Sequence, residues 1–376
     1  MGGESFSLKD QLFNRVKVAK IAREIESVHS AFRAKSFVED CVLPFPELEL
    51  KQRIHHIALT LKRHLPKDFL EAVQILLDAL PQPCDPNLKD NDFGDFIYAP
   101  YGEFVALFGC NPAHVGQSLD ALTHITTRFS MEYAIRPFIN AFPEQTLERV
   151  HSWCEHEHYH VRRLASEGTR PKLPWGIKIL TSPESYLPIL ERLHSDETRF
   201  VTRSVANHLN DLSKINPSLV IERLKSWRTL SKQREDEMHF ITNHALRSLI
   251  KNGDQGALQL IGFHSDTKLK ISFIHFLDKV IAGTALEFDV ALEAHENCKV
   301  LIDFLIYFQS SRGDLSRVKV FKWKQLDLVA NKQVVLSKKH LMRGDMTTRK
   351  LYPGLHRFVL QVNGKESLTQ GFELVM

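Results

Sequence analysis

Two kinds of helix-like segment recur in the middle of this 376-residue chain, about 40 residues apart, and that period constrains the fold more than any other feature. The first kind reads PEQTLERVHSW at 143–153 and PSLVIERLKSW at 217–227, with a looser copy, PESYLPILER, at 183–192. Proline at the first helical position suits each start, because its missing N–H would have no partner there. The second kind follows each first one: Val161-Arg162-Arg163 matches Val201-Thr202-Arg203, which matches Ile241-Thr242-Asn243. One helix pair cannot bury its own apolar face, whereas stacked pairs can. The expectation is a HEAT-like α-solenoid.

The second helices carry a defined geometry. Val161, Leu164, Ala165 and Gly168 form an i, i+3, i+4, i+7 packing stripe, which leaves Arg163, Glu167 and Arg170 on the opposite face. In the next repeat Arg203, Asn207 and Asp211 fall opposite the stripe, and in the third Asn243, Arg247 and Lys251 do. Stacking aligns these nine residues in one polar ribbon of net positive charge, suited to a phosphate backbone. The competing reading is an ordinary solvated helix face.

Residues 8–80 also show helical spacing, and the turn-rich stretch PQPCDPNLKDNDFGD at 81–95 reads as a surface loop. Helical patterning fades near Asn252-Gly253-Asp254, and after His264 the period becomes alternating. Candidate strands are 269–275, 286–293, 299–308, 317–328, 333–338, 356–362 and 367–375, with Asn363-Gly364 as the tight turn between the last two. Seven short strands in about 110 residues predict an all-β immunoglobulin-like sandwich. His356 stands where such a sandwich usually places the tyrosine of a tyrosine corner. The expected division is therefore a HEAT-like domain over 1–262 and an Ig-like domain over 263–376.

Charge is unevenly distributed between the two. Residues 315–357 hold eleven Lys and Arg against two acids, a net of +9, which suits an anionic partner or a solvated strand surface. The five cysteines are scattered, without disulfide or CxxC spacing, so a reducing cytosol is expected. The N-terminus lacks an apolar signal region, it fits a myristoylation pattern only loosely because Phe6 stands where Ser or Thr is wanted, and no stretch suits a membrane span. His156-Glu157-His158-Tyr159-His160 spells H-E-x-x-H, but zincins need that motif inside a helix. The repeat register puts it in a turn, and no third ligand is evident. It is expected to be a surface turn, and no metal or other cofactor is assigned.

The densest chemistry lies in RRLASEGTRPKLPWG at 162–176, where a carboxylate sits among three arginines and a proline-stiffened loop presents Trp175. This segment resembles the signature of the AlkC-type DNA alkylation-repair glycosylases of the HEAT-like AlkC/AlkD superfamily. GDFIYAP at 94–100 and EYAIRPF at 132–138 are similar to other blocks of that family, and TTRKLYPG at 347–354 with LQVNG at 360–364 resembles the Ig-like domain of its longer members. The resemblance spans about residues 90–376.

It implies excision of cationic 3-methyladenine and 3-methylcytosine from DNA without base flipping, by a cytoplasmic monomer. It places the catalytic groups at Glu132, Glu167 and Trp175, with Asp211 supported also by the ribbon register. N3 alkylation makes the base a good leaving group, a carboxylate stabilises the oxocarbenium-like sugar, and an indole face can contact the cation. DNA contacts are expected from Arg163, Arg170, Lys172, Arg203 and Arg247, and from Arg343, Arg349 and Lys350 of the sandwich, the two domains encircling the duplex. The rivals are a catalytically silent HEAT protein that binds DNA structures, and a protein-interaction scaffold.

Overall fold

The computed structural model describes residues 7–88, 90, 93–344 and 350–376. Two compact units emerge: Met1–Leu212 with Trp227–Ala245, and Ser213–Ser226 with Leu246–Met376. The helical region precedes a β-sandwich in chain order.

The 40-residue period corresponds to real helix pairs. Helix Pro143–Trp153 is followed by Tyr159–Glu167, Leu187–Leu193 by Arg199–Leu212, and Pro217–Leu230 by Glu235–Lys251. The equivalent residues Val161, Val201 and Ile241 are all completely buried, as a repeated packing stripe requires. Gly168 ends the first of these second helices. A Cβ there would lie 2.7 Å from Ile135 Cγ2 and 2.9 Å from the Leu164 carbonyl oxygen, so only glycine lets the helix end pack this closely. Upstream, helices such as Arg15–Val28 and Leu50–His64 carry the amphipathic segments read from the sequence. Helical structure also continues past Asn252 as a short helix, Gln255–Leu260.

The HEHYH run is a surface turn only in part: His156 and Glu157 lie in the turn between the paired helices, whereas His158, Tyr159 and His160 are buried and the last two begin the helix. His158 caps the helix by accepting the His160 N–H on Nδ1, and its Nε2 donates to the Cys84 carbonyl at 3.0 Å. His160 lies inside the helix, 2% exposed, with Nδ1 bonded to the Thr126 carbonyl. The aromatic packing of Tyr159 and His160 against Phe200 draws the run inward. Among the described residues, no group of three or more His, Cys, Asp or Glu is placed to hold a metal ion.

The sandwich contains strands β1 (Leu269–Phe276), β2 (Lys279–Ile281), β3 (Ala285–Ala294), β4 (Cys298–Phe308), β5 (Arg317–Leu328), β6 (Gln333–Leu341), β7 (Gly354–Val362) and β8 (Lys365–Val375). One sheet runs β1-β3-β6 and the other β2-β8-β7-β4-β5. Strand β2, parallel to β8, is absent from the sequence reading because three residues are too few to show alternation. Asn363 and Gly364 both take positive φ (48° and 75°), as a tight hairpin turn demands. His356, 1% exposed, does the work of the corner tyrosine: its Nε2 donates to the Tyr352 carbonyl at 3.2 Å and its Nδ1 accepts the Gln309 N–H.

Phe288, Phe304 and Phe358 lock the two sheets together, with ring centroids 4.6–5.6 Å apart. Phe304→Ala is expected to destabilise this unit by about 3–5 kcal/mol, measured by denaturant unfolding; a change below about 1 kcal/mol would show that the core does not depend on this ring.

Candidate active site

Five charged side chains from three segments of the helical unit meet in one alternating row. Glu132 lies in the turn before helix Ile135–Ala141, Arg163 and Glu167 on helix Tyr159–Glu167, Arg170 just beyond it, and Asp211 near the end of Arg199–Leu212. Arg163 Nη1 donates to Glu132 Oε2 at 3.1 Å, and its Nη2 stands 3.7 Å from Glu167 Oε1. Arg170 donates to Glu167 Oε1 at 2.7 Å and to Asp211 Oδ2 through Nε and Nη2, each at 2.9 Å. Ser204 Oγ donates to Glu167 Oε2 at 2.7 Å, while Ser130 Oγ joins Glu132 and accepts from Arg163. Phe200 covers the Arg163 guanidinium, 4.6 Å from its ring centroid.

This row is buried, unlike the open polar ribbon read from the helical wheel. Arg163, Glu167 and Asp211 are 7%, 4% and 5% exposed. A face opposite one packing stripe can still be covered by neighbouring segments, and buried charges must then be paired. The two glutamates differ in how far their neighbours offset burial. Burial raises the Glu132 carboxyl above the ordinary range, because Arg163, aided by Arg170, only partly offsets it and Glu167 adds repulsion. At Glu167 burial also raises the pKa, but Arg163, Arg170 and Ser204 together outweigh it and hold the carboxyl below that range.

Trp175 stands apart, half exposed, with its backbone at φ 67°, a left-handed conformation unusual for a tryptophan. Two basic side chains hold its loop by the main chain. Lys51 Nζ donates to the Trp175 carbonyl at 2.8 Å, and Arg136 threads beneath the loop. Arg136 is 1% exposed and donates to the carbonyls of Gly168 (3.1 Å), Arg170 (2.9 Å) and Ile177 (2.6 Å). A Cβ on Gly176 would come within 3.0 Å of Arg136 Cδ. One buried guanidinium thus ties the helix end that carries Glu167 to the loop that carries Trp175. Burial pulls its pKa down to about 10, which leaves it protonated near neutrality.

The remaining predicted residues are dispersed. Lys172 is exposed on the same loop, and Arg203 forms an ion pair with Asp90 at 2.6 Å. Arg247, half-buried, belongs to the other compact unit, as do the exposed Arg343 and Lys350; Arg349 lies outside the described residues. Ser130, Ser204, Lys51 and Arg136 did not figure among the predicted site residues. Only Arg136 left a trace, as part of the EYAIRPF block.

His208 supports the row from behind. It is fully buried, its Nδ1 donates to the Ser166 carbonyl, and burial pushes its pKa down to about 4. The unfolded chain therefore binds the proton first, so stability from this group is complete above the ordinary histidine range and is lost as pH falls from about 6.5 to about 4. The loss is on the order of 3 kcal/mol. His208→Gln should flatten that part of the stability-versus-pH curve in denaturant melts; an unaltered curve would mean that His208 does not titrate this way. Arg136→Met should leave Glu132 intact yet slow any reaction at the site about tenfold or more through loss of loop placement. Acrylamide quenching of Trp175 emission should change with it, and unchanged quenching would refute the clamp.

Comparison with known proteins is consistent with this site. A family described as "DNA alkylation repair enzyme" matches residues 122–249, and one described as "Uncharacterised protein YhaZ, C-terminal Ig-like domain" matches residues 274–376. The chain is 33% identical over 365 residues to the uncharacterized protein YhaZ of Bacillus subtilis, covering 95% of this chain and 97% of that protein. It is also similar to the alkylpurine DNA glycosylase AlkC of Pseudomonas fluorescens, solved bound to DNA containing an abasic site analog. There the identity is 32% and the TM-score 0.85, with 98% of this chain and 100% of the other covered.

Proposed function

Since the chain belongs to the AlkC-type DNA alkylation-repair glycosylases, we propose that it hydrolyses the glycosidic bond of cationic N3-alkylated bases, 3-methyladenine and 3-methylcytosine, in DNA. The observation that carries this reading is the row of three carboxylates against two guanidiniums, in which two neighbouring glutamates are pushed in opposite directions. Environments that split the pKa values of a pair of acids separate their roles. Glu167, held ionised, stabilises the positive sugar as the C1′–N bond stretches. Glu132, with its raised pKa, accepts the proton from the attacking water. The cationic base leaves without a general acid, and the product is an abasic site, the kind of DNA that the similar AlkC holds an analog of.

Trp175 is proposed to contact the lesion through its indole face. Excision is proposed to proceed without flipping the base, as the resemblance to the AlkC-type family implies. Asp211 acts by fixing Arg170, and through it Glu167. Arg170, Lys172 and Arg203 are assigned to phosphate contacts beside the site, and Arg163 to holding Glu132. Arg247 and the sandwich residues Arg343, Arg349 and Lys350 are assigned to the DNA backbone, with domains over 1–262 and 263–376. The same reading assigns the protein to the cytoplasm, as a monomer without cofactor.

Glu167→Gln should slow release of 3-methyladenine from methylated DNA by roughly a hundredfold, on the order of 3 kcal/mol, while DNA affinity holds or rises. If that variant melts early yet excises normally, Glu167 is only a partner of Arg163 and Arg170. Excision should rise with pH through the elevated Glu132 pKa, because the base must be ionised, and this limb should vanish in Glu132→Gln. A limb that persists in that variant would assign it to another group. The double change Arg343→Ala with Lys350→Ala should reduce the slope of log affinity against log salt by about 1.8; an unchanged slope would remove these residues from the interface.

A further inference from the structure

A pocket of about 570 Å³, including its open mouth, adjoins the carboxylate row within the helical unit. Ser130 joins the two: it bonds to Glu132 and Arg163 on one side and lines the pocket on the other, where Trp175 forms part of the wall. The remaining lining is mostly apolar, including Phe96 and Phe129, with Lys51, Glu103 and Tyr133 as its further polar side chains. Apolar, aromatic-walled recesses with a few polar groups take small planar ligands. Nothing in the proposed hydrolysis uses it.

The chemistry of the reaction indicates an occupant. When the C1′–N bond breaks, its electron pair stays on the base nitrogen, water oxygen bonds to C1′, and the water proton passes to a carboxylate. The base, cationic while attached, is therefore neutral once free. It loses its attraction to Glu132 and Glu167 at the moment of release and becomes a flat, uncharged aromatic. An apolar, aromatic-walled pocket sharing Trp175 then binds it better than the carboxylate row does.

We propose that this pocket is a product site, which receives the excised, neutral alkylated purine before it escapes. This rests on the glycosylase reading above, but concerns a step after bond cleavage. Glu103, hydrogen-bonded to His55 at 2.8 Å, offers its carboxylate to the exocyclic amine of the base. Lys51 both tethers the Trp175 carbonyl and borders the pocket, so an occupied pocket reports directly on the loop.

The test uses the full chain and free 3-methyladenine, without DNA. Trp153 and Trp227 are buried and Trp323 lies in the sandwich, whereas Trp175 is 54% exposed, so Trp175 dominates any response to a ligand in this unit. Saturable quenching of its emission is expected, absent in Trp175→Phe. Ala99→Leu, which fills the pocket from helix Ala99–Gly109 without touching the carboxylates, should weaken base binding about tenfold and relieve inhibition of excision by added base. Its single-turnover excision rate should remain that of the wild type. Should Ala99→Leu lower the melting temperature, Glu103→Gln serves as the second variant, with weaker base binding and normal excision expected. Excision by the wild type with neither quenching nor inhibition by free base overturns the product site alone. Base binding by a chain that releases no base from methylated DNA would instead overturn the glycosylase reading and leave the pocket standing. Equal base affinity in the wild type and both variants would put the base elsewhere.

Discussion

Three carboxylates and two guanidiniums, almost entirely removed from water, set the terms for the rest of the helical unit. Each charge is tolerable only because its neighbours in the row are opposite, so no member can move without stranding another. Because the row draws on the turn before Ile135–Ala141 and on two successive repeats, it fixes how those segments meet. Ser204 and Ser130 complete the acceptor oxygens that the arginines leave open. The outcome is a set of dipoles and charges oriented before any ligand arrives, which is the condition under which electrostatic stabilisation of a developing cation is strongest.

Arg136 extends that order to the aromatic side of the site. A guanidinium spent wholly on main-chain carbonyls, rather than on an acid, indicates that its task is to shape backbone. It fixes the distance between the end of one helix and the loop that follows, and that distance separates charge from indole. In the proposed reaction, charge neutralisation during bond cleavage would give the separation a direction: the carboxylates would favour the base before cleavage, and the apolar wall beyond Trp175 would favour it afterwards.

The period of 40 residues was readable because Val161, Val201 and Ile241 must each pack against the same kind of neighbour, and the sandwich was readable because alternation survives in long strands. Glu167, Arg163, Arg170 and Asp211 were selected by a helical wheel that correctly separated them from the stripe. The wheel has no information about what covers the far side, so it placed them on an open, phosphate-facing ribbon when they are buried. His160 failed for a related reason, since a histidine-rich run looks polar until its rings find Phe200. Arg136 was hidden because main-chain carbonyls carry no sequence signature. The apolar pocket beside the row was hidden too, because its walls come from segments as distant as Lys51 and Trp175.

The left-handed backbone of Trp175 has a consequence for how this protein can change. A bulky residue at positive φ costs on the order of 1–3 kcal/mol, and here the residue is also half exposed and contributes little to the core. Selection for thermal robustness alone would therefore erode this position, with glycine or asparagine relaxing the chain at once. An aromatic ring persists there only while what it touches outside the protein matters more than the stability it forfeits. The same trade makes the position a place where stabilised laboratory variants would be expected to lose their activity first.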